Sequence, residues 1–388
     1  MHIDHTSLAH LRQRTSAKWR AYPEDVIPAW VAEMDFALAE PIASALHAAV
    51  DRSDTGYRWA DEIPGALAEF AQAEWGWQVP IDNVIVLADV MSSIAQSLVH
   101  LTDPGSAVVI NPPVYPPFFS TVEKVCSRTV REVPLTRIGA PGEERYRLDL
   151  DALERAFVDP AVQAYVLCSP HNPTGTVHTP DELGRVAELA AAHGVLVISD
   201  EIHAPLTLAG ATHTPFLKVA NDVNDLRAVA AVSASKTWNI PGLKCAQLVA
   251  GDVVLDALRD GIPIEATYGV GHFGVLGTLA AYRDGAPWRG EMLATLEDRR
   301  RFLFDSLEAM DGVRMTWPEA SYLAWVHFDG LGEDPALEIL DQAKIALNSG
   351  PAFGSPGAAH ARINYATTRE ILESVIAGIG SVVVGHAS

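Results

Sequence analysis

Cysteine is scarce: only three occur in 388 residues, Cys126, Cys168 and Cys245, an odd number with no CxxC spacing. Neither a disulfide framework nor a zinc site follows from that pattern, and a reducing cytoplasm is the expected setting. Basic residues are also in short supply, 28 Lys and Arg against 49 Asp and Glu, for a net charge of −21. That balance argues against nucleic acid or an anionic membrane surface as a partner, so any anionic ligand has to be held by local groups. No uninterrupted apolar run approaches the roughly 20 residues of a membrane span. The opening Met1-His-Ile-Asp-His-Thr lacks a basic segment followed by an apolar one, so no export signal is expected. Internal repeats and low-complexity tracts are absent too.

What is present is 48% hydrophobic residues in a chain long enough for one large domain and a smaller one. Short apolar runs begin at Val84, Ala107, Ala164, Val195, Ala228 and Ala246 and alternate with amphipathic stretches. Such alternation predicts βα units around a buried, mostly parallel sheet. One connecting helix is well marked by Thr179 as N-cap, Pro180 at the first helical position, Glu182 completing a capping box and Gly194 as the stop. After Gly285 the pattern changes to a long charged helix over about 288–310, strand-like runs at 322–326 and 362–365, and a final apolar helix capped by Thr367 and Glu370. The expected division is 1–45 as an N-terminal arm with part of the small domain, 46–283 as the large domain, and 284–388 as the small C-terminal domain.

Three strand ends carry chemistry. Ser233-Ala-Ser235-Lys236 sets a lysine among small hydroxyls, Val195-Leu-Val-Ile-Ser-Asp200-Glu-Ile-His203 ends a strand in an acid, and Ser169-Pro-His-Asn172-Pro-Thr-Gly175 ends another in an amide. In open parallel sheets the ligand crevice lies beyond the carboxyl ends of the strands, so these segments are expected to converge. A lysine amine there can condense with a cofactor aldehyde and afterwards carry a proton. Weaker patterns are set aside. Gly269-Val-Gly-His-Phe-Gly274 matches a dinucleotide motif without a preceding strand and reads as helix packing or chance. His2, His5 and His10 lack acidic or cysteine partners for a metal, and Arg299-Arg-Arg301 reads as a solvated helix face. The polar loop from Arg137 to Tyr146 suggests no function.

Asn172, Asp200 and Lys236, in that order at successive strand ends, resemble the pyridoxal 5'-phosphate (PLP) enzymes of the aspartate aminotransferase fold, fold type I. Histidine three residues after the acid, the Asn111-Pro-Pro-Val-Tyr115-Pro-Pro loop, Lys18-Trp and Trp30-Val-Ala-Glu-Met-Asp-Phe36 make the chain similar to the MalY/PatB family of carbon–sulfur β-lyases within it. The resemblance implies an α/β fold with a large PLP-binding domain and a smaller α/β domain. It also implies that Lys236 binds the cofactor and moves the substrate proton. Asp200 would pair with the pyridine nitrogen, Asn172 and His203 with the phenolic oxygen, and Tyr115 would stack on the ring. The phosphate would take backbone amides of Val90 and Met91, the hydroxyls of Ser233 and Ser235, Lys244 where relatives carry arginine, and Tyr57 from a second subunit of a homodimer. Arg362 would clamp the substrate carboxylate. The implied substrate is a small sulfur-containing L-amino acid such as cystathionine. An aminotransferase begins from the same residues and stays open as the second reading, with a regulatory module acting through a transcription-regulator protein as a third.

Overall fold

In the computed structural model, residues 3–139 and 144–386 are described; His2 and part of the loop between Arg137 and Tyr146 lie outside them. Seven strands, β1 (Val84–Leu87), β2 (Ala107–Ile110), β3 (Thr129–Glu132), β4 (Val162–Cys168), β5 (Leu196–Asp200), β6 (Ala228–Val232) and β7 (Ala246–Ala250), form one sheet in the order β1-β7-β6-β5-β4-β2-β3. Only β7 runs antiparallel to its neighbours; the other pairs are parallel. The six apolar runs read from the sequence are all strands. β3 escaped notice because Thr-Val-Arg-Glu is an edge strand, half-exposed and partly charged.

Alternate residues of the strands face opposite layers, as strand geometry requires. Val108, Ile110, Leu196 and Ile198 pack with Ile94 and Leu98 of α1 (Val90–Leu101). Val109 and Val197 pack on the other side with Leu183 and Val186 of α2 (Pro180–His193). The capping box that opens α2 is formed as the sequence predicts, and Gly194 ends the helix at φ 68°.

The second sheet is antiparallel, with β8 (Val313–Met315), β9 (Leu323–Phe328), β10 (Asn348–Ser349) and β11 (His360–Asn364) in the order β8-β9-β11-β10. It packs with α3 (Ala286–Glu308) and α4 (Arg369–His386) in a hydrophobic cluster that continues through Met34 and Phe36 to Val232 and Val249 of the large sheet. Two expectations fail here. The last helix is capped by Thr368, whose hydroxyl accepts the Ile371 amide at 3.4 Å, one residue later than the Thr367–Glu370 pattern suggests. Arg299 and Arg300 are buried, not solvated. Arg299 bonds Asp4, Asp298 and the Thr367 carbonyl; Arg300 bonds Glu297 and the Pro318 carbonyl and lies 4.1 Å from the Trp317 ring. Buried arginines are tolerated because each guanidinium finds several acceptors.

The two sheets are joined at Gly175. Its carbonyl accepts the amides of Glu319 and Ala320 at 2.9 and 3.0 Å, and Glu319 Oε2 accepts the Val177 amide at 2.9 Å. Gly175 has φ 69°, and a Cβ there would stand 2.4 Å from Cβ of Pro318. The position requires glycine for both reasons.

Candidate active site

Beyond the carboxyl ends of β1, β2, β4, β5 and β6 lies a cavity of about 170 Å³. It is lined by Val90, Met91, Tyr115, Asn172, Asp200 and His203, with Ser235, Lys236 and Lys244 completing the wall. Residues as far apart in sequence as Val90 and Lys244 meet because parallel strands deliver their ends to one edge; antiparallel β7 contributes Lys244 because its amino end lies at that same edge.

Each side chain is held by what surrounds it. Ser233, just past β6, stands behind the wall instead of in it: its Oγ donates to the Cys245 carbonyl at 2.8 Å and contacts Ser235 Oγ at 2.5 Å. This ties the end of β6 to the start of β7 and fixes the turn that presents Lys236. Lys236 is half-buried, and its Nζ donates to the Ala32 carbonyl at 2.9 Å. Loss of solvation, reinforced by the Arg362 charge and opposed by Asp200 and Glu33, lowers its pKa to about 8.

Asp200 ends β5, buried, with Oδ1 accepting the Ile202 amide at 3.1 Å. Burial raises its pKa to about 7, which the Ile202 bond and the Lys236 charge only partly offset. A carboxyl in that state is poised for a cationic partner. His203 is buried, and burial together with Lys236 and Arg362 lowers its pKa to about 3, so the imidazole is neutral. Asn172 Oδ1 accepts from Arg362 Nη1 at 3.1 Å, and Arg362 Nη2 donates to the Trp30 carbonyl at 2.9 Å. The guanidinium lies 5.1 Å from the Phe353 ring.

The first turn of α1 forms the opposite wall. Asp89 is its N-cap, with Oδ1 accepting the Ser92 amide at 2.7 Å, while Oδ2 pairs with Lys244 Nζ at 2.9 Å. Burial opposes ionisation of Asp89, but the Ser92 and Lys244 contacts prevail and hold its pKa below the ordinary carboxylate value. The amides of that turn and the Lys244 ammonium stand together at a corner that could hold an anion. Gly271 and Gly274 serve packing: a Cβ on either would lie 2.4 or 2.3 Å from the Leu243 carbonyl beside Lys244. That decides the Gly-rich pattern in favour of helix packing.

Tyr57 is not brought into the cavity; it is fully exposed on the surface. Two contributors went unread in the sequence. Asp89-x-x-Ser92 is a legible cap pattern, but its pairing with Lys244 depends on tertiary placement. The Ala32 carbonyl is a backbone group that no residue type announces. Among the described residues, no cluster of His, Cys, Asp and Glu is arranged to hold a metal, and no helix is long and apolar enough to cross a membrane.

The residues fit PLP on two observations. His203 Nδ1 and Arg362 Nε are buried without a hydrogen-bond partner among the described residues, and the buried Asp200 carboxyl, its pKa raised by that burial, is left suited to a cation placed against it.

Residues 22–379 match the model of the family Aminotransferase class I and II. Cystathionine beta-lyase of Corynebacterium glutamicum is 33% identical, over 97% of this chain and 98% of that one. Cystathionine beta-lyase PatB of Bacillus subtilis (strain 168) is 34% identical, over 90% and 92%. The crystal structure of cystalysin from Treponema denticola, which contains a pyridoxal 5'-phosphate cofactor, superposes with a TM-score of 0.90 at 25% identity, covering 99% of this chain and all of the other. With the strand-end residues gathered in one cavity and these likenesses spanning nearly its whole length, the chain belongs to the aminotransferase class I and II family.

Proposed function

We propose that this chain is a PLP-dependent carbon–sulfur β-lyase that cleaves L-cystathionine or another cysteine S-conjugate. The observation that carries the reading is the shared cavity of Lys236, Asp200 and Asn172, with the Arg362 fork bonded to Asn172 at its edge. The choice of lyase over aminotransferase follows the lyase relatives.

Bound PLP supplies an aldehyde for the lysine amine and a ring that accepts the electron pair left at the substrate Cα. In this reading the Asp200 carboxylate would pair with the ring nitrogen, Asn172 and neutral His203 would hydrogen-bond the phenolic oxygen, and Tyr115 would lie against the ring. The Val90 and Met91 amides, Lys244 and the Ser235 hydroxyl would receive the phosphate, with Ser233 bracing Ser235. Arg362 takes the substrate carboxylate in a planar, two-pronged contact that a lysine could not reproduce. That contact fixes the Cα–H beside Lys236, whose lowered pKa leaves a usable fraction of free amine near pH 8 to remove the proton. Loss of the sulfur substituent from Cβ then gives a thiol, and one water converts the remainder to pyruvate and ammonia.

The division into an arm (1–45), a cofactor-binding domain (46–283) and a small domain (284–388) belongs to this proposal, as does a homodimer. Tyr57, Trp59, Ile264 and Tyr268 are large apolar side chains left exposed. Their two segments lie together, because Arg58 Nε donates to the Thr267 carbonyl at 3.2 Å. Such a patch suits burial against a second copy, which would bring Tyr57 to the partner's phosphate corner.

The test is pyruvate release from L-cystathionine by PLP-loaded protein without any keto acid. Many turnovers per site support the lyase. No pyruvate, with one equivalent per site of the keto acid of cystathionine formed and more only when a keto-acid acceptor is added, would replace it with the aminotransferase.

A further inference from the structure

The segment 30–36 meets the cavity wall at Ala32 and has an unusual bonding pattern: each of its seven carbonyls takes a side-chain donor. Trp30 O accepts from Arg362, Val31 O from Asn364, and Ala32 O from both Lys236 and Tyr322. Glu33 O accepts from Lys18 and Asn364, Met34 O from Arg14 and Asn239, and Asp35 O and Phe36 O from Arg14. A backbone so tied is a fixed surface, not a loose arm.

The geometry around Ala32 is the informative part. Asn364 Nδ2 donates at 2.7 Å to both Val31 O and Glu33 O, bracketing the Ala32 carbonyl. Its own Oδ1 accepts the Ala366 amide at 2.8 Å, which sets the amide orientation. The Tyr322 hydroxyl then meets Ala32 O at 3.1 Å, and Lys236 Nζ reaches the same oxygen at 2.9 Å. Asn364 and Tyr322 are fully enclosed and belong to the small domain, whereas Lys236 belongs to the large one.

We infer that Tyr322 and Asn364 are positioning residues for Lys236: together they aim the Ala32 carbonyl at the lysine amine, so the small domain sets where the proton-carrying group rests when it is free. This rests on the catalytic role proposed for Lys236. The carbonyl stabilises the ammonium form by accepting a hydrogen bond from it. The other charges and titratable groups facing the amine are Arg362 from β11, Asp200 from β5, Glu33 on the segment itself and Lys244 ahead of β7. His203 also lies close enough to feel the lysine charge. The Tyr322 phenol is pushed well above its ordinary value by burial, so it remains a donor throughout the working range.

The test uses Tyr322→Phe, which removes one oxygen, and Asn364→Ser, which cannot span both carbonyls. Lys236 is titrated in cofactor-free protein by following its acylation with an amine-reactive reagent against pH, read by mass spectrometry. In both variants the midpoint should fall by about half a pH unit or more, roughly a threefold change in the ionisation constant. In PLP-loaded Tyr322→Phe, kcat should fall by about 3- to 10-fold with KM changed less than about twofold. An unchanged or raised midpoint in Tyr322→Phe overturns the inference, and that variant decides if Asn364→Ser fails to fold. Lys236→Ala in parallel separates the two claims: turnover that survives it defeats the proposed function, while the labelling midpoint in cofactor-free protein still judges the positioning.

Discussion

Replacing Asp200 by asparagine should reduce turnover by about three orders of magnitude while leaving the cofactor bound. Burial raises this carboxyl from 3.8 to about 7, which corresponds to a cost of about 4 kcal/mol for the ionised form. A cation placed against the carboxylate recovers energy of that order, and in the proposed function the protonated ring nitrogen is that cation. Asparagine has the same shape but no charge to hold the proton, so the ring loses its power to accept electrons. Phosphate contacts and Lys236 persist. Pyruvate release would be measured at matched PLP content, established by absorbance after dialysis. Turnover within tenfold of the unmodified protein would refute the role and the energy argument together. The same group makes an opposite prediction for cofactor-free protein. Its folded pKa exceeds its unfolded value, so its contribution to stability is complete below pH 3.8 and is lost as pH rises through 7. Cofactor-free Asp200→Asn should therefore unfold at higher denaturant than the unmodified chain at pH 8, with the gap narrowing towards pH 4. A gap independent of pH would show that the carboxyl is not paying for its burial as argued.

Arg362→Lys keeps the charge but loses the planar fork bonded to Asn172 and Trp30, and should raise KM for L-cystathionine about 100-fold or more, read from initial rates; an unchanged KM would remove Arg362 from carboxylate binding. Tyr57→Ala and Lys236→Ala chains, each inactive or impaired alone, should recover activity when mixed under conditions that exchange subunits, because a hybrid dimer contains one site with both residues intact. No recovery despite exchange, verified by native mass spectrometry, would count against a cross-subunit Tyr57. Gly175→Ala should lower stability by about 2–3 kcal/mol, since the new methyl meets Pro318 at 2.4 Å in a left-handed turn. A denaturation midpoint equal to that of the unmodified protein would show that the domain junction yields more easily than its geometry implies.

Local rules carried much of this fold in the sequence itself. Short continuous apolar runs announced six strands of the large sheet, the Thr179–Glu182 box and Gly194 bounded α2, and the order Asn172, Asp200, Lys236 at successive strand ends located the cavity, because parallel strands bring their carboxyl ends to one edge. What depended on distant partners was not legible. Arg299 and Arg300 look solvated until their acceptors are folded around them, and β3 shows no core pattern because it lies at an edge. Asp89 reads as a helix cap and becomes part of an anion corner only when Lys244 arrives across 155 residues. The Ala32 carbonyl has no sequence signature at all, since every residue carries one; its meaning comes from Asn364, Tyr322 and Lys236 converging on a single stretch of backbone. The sequence by itself determined which chemical groups stand at the strand ends, whereas tertiary structure alone decided their protonation and bonding, because burial and long-range neighbours, not residue type, set the energy of a charge.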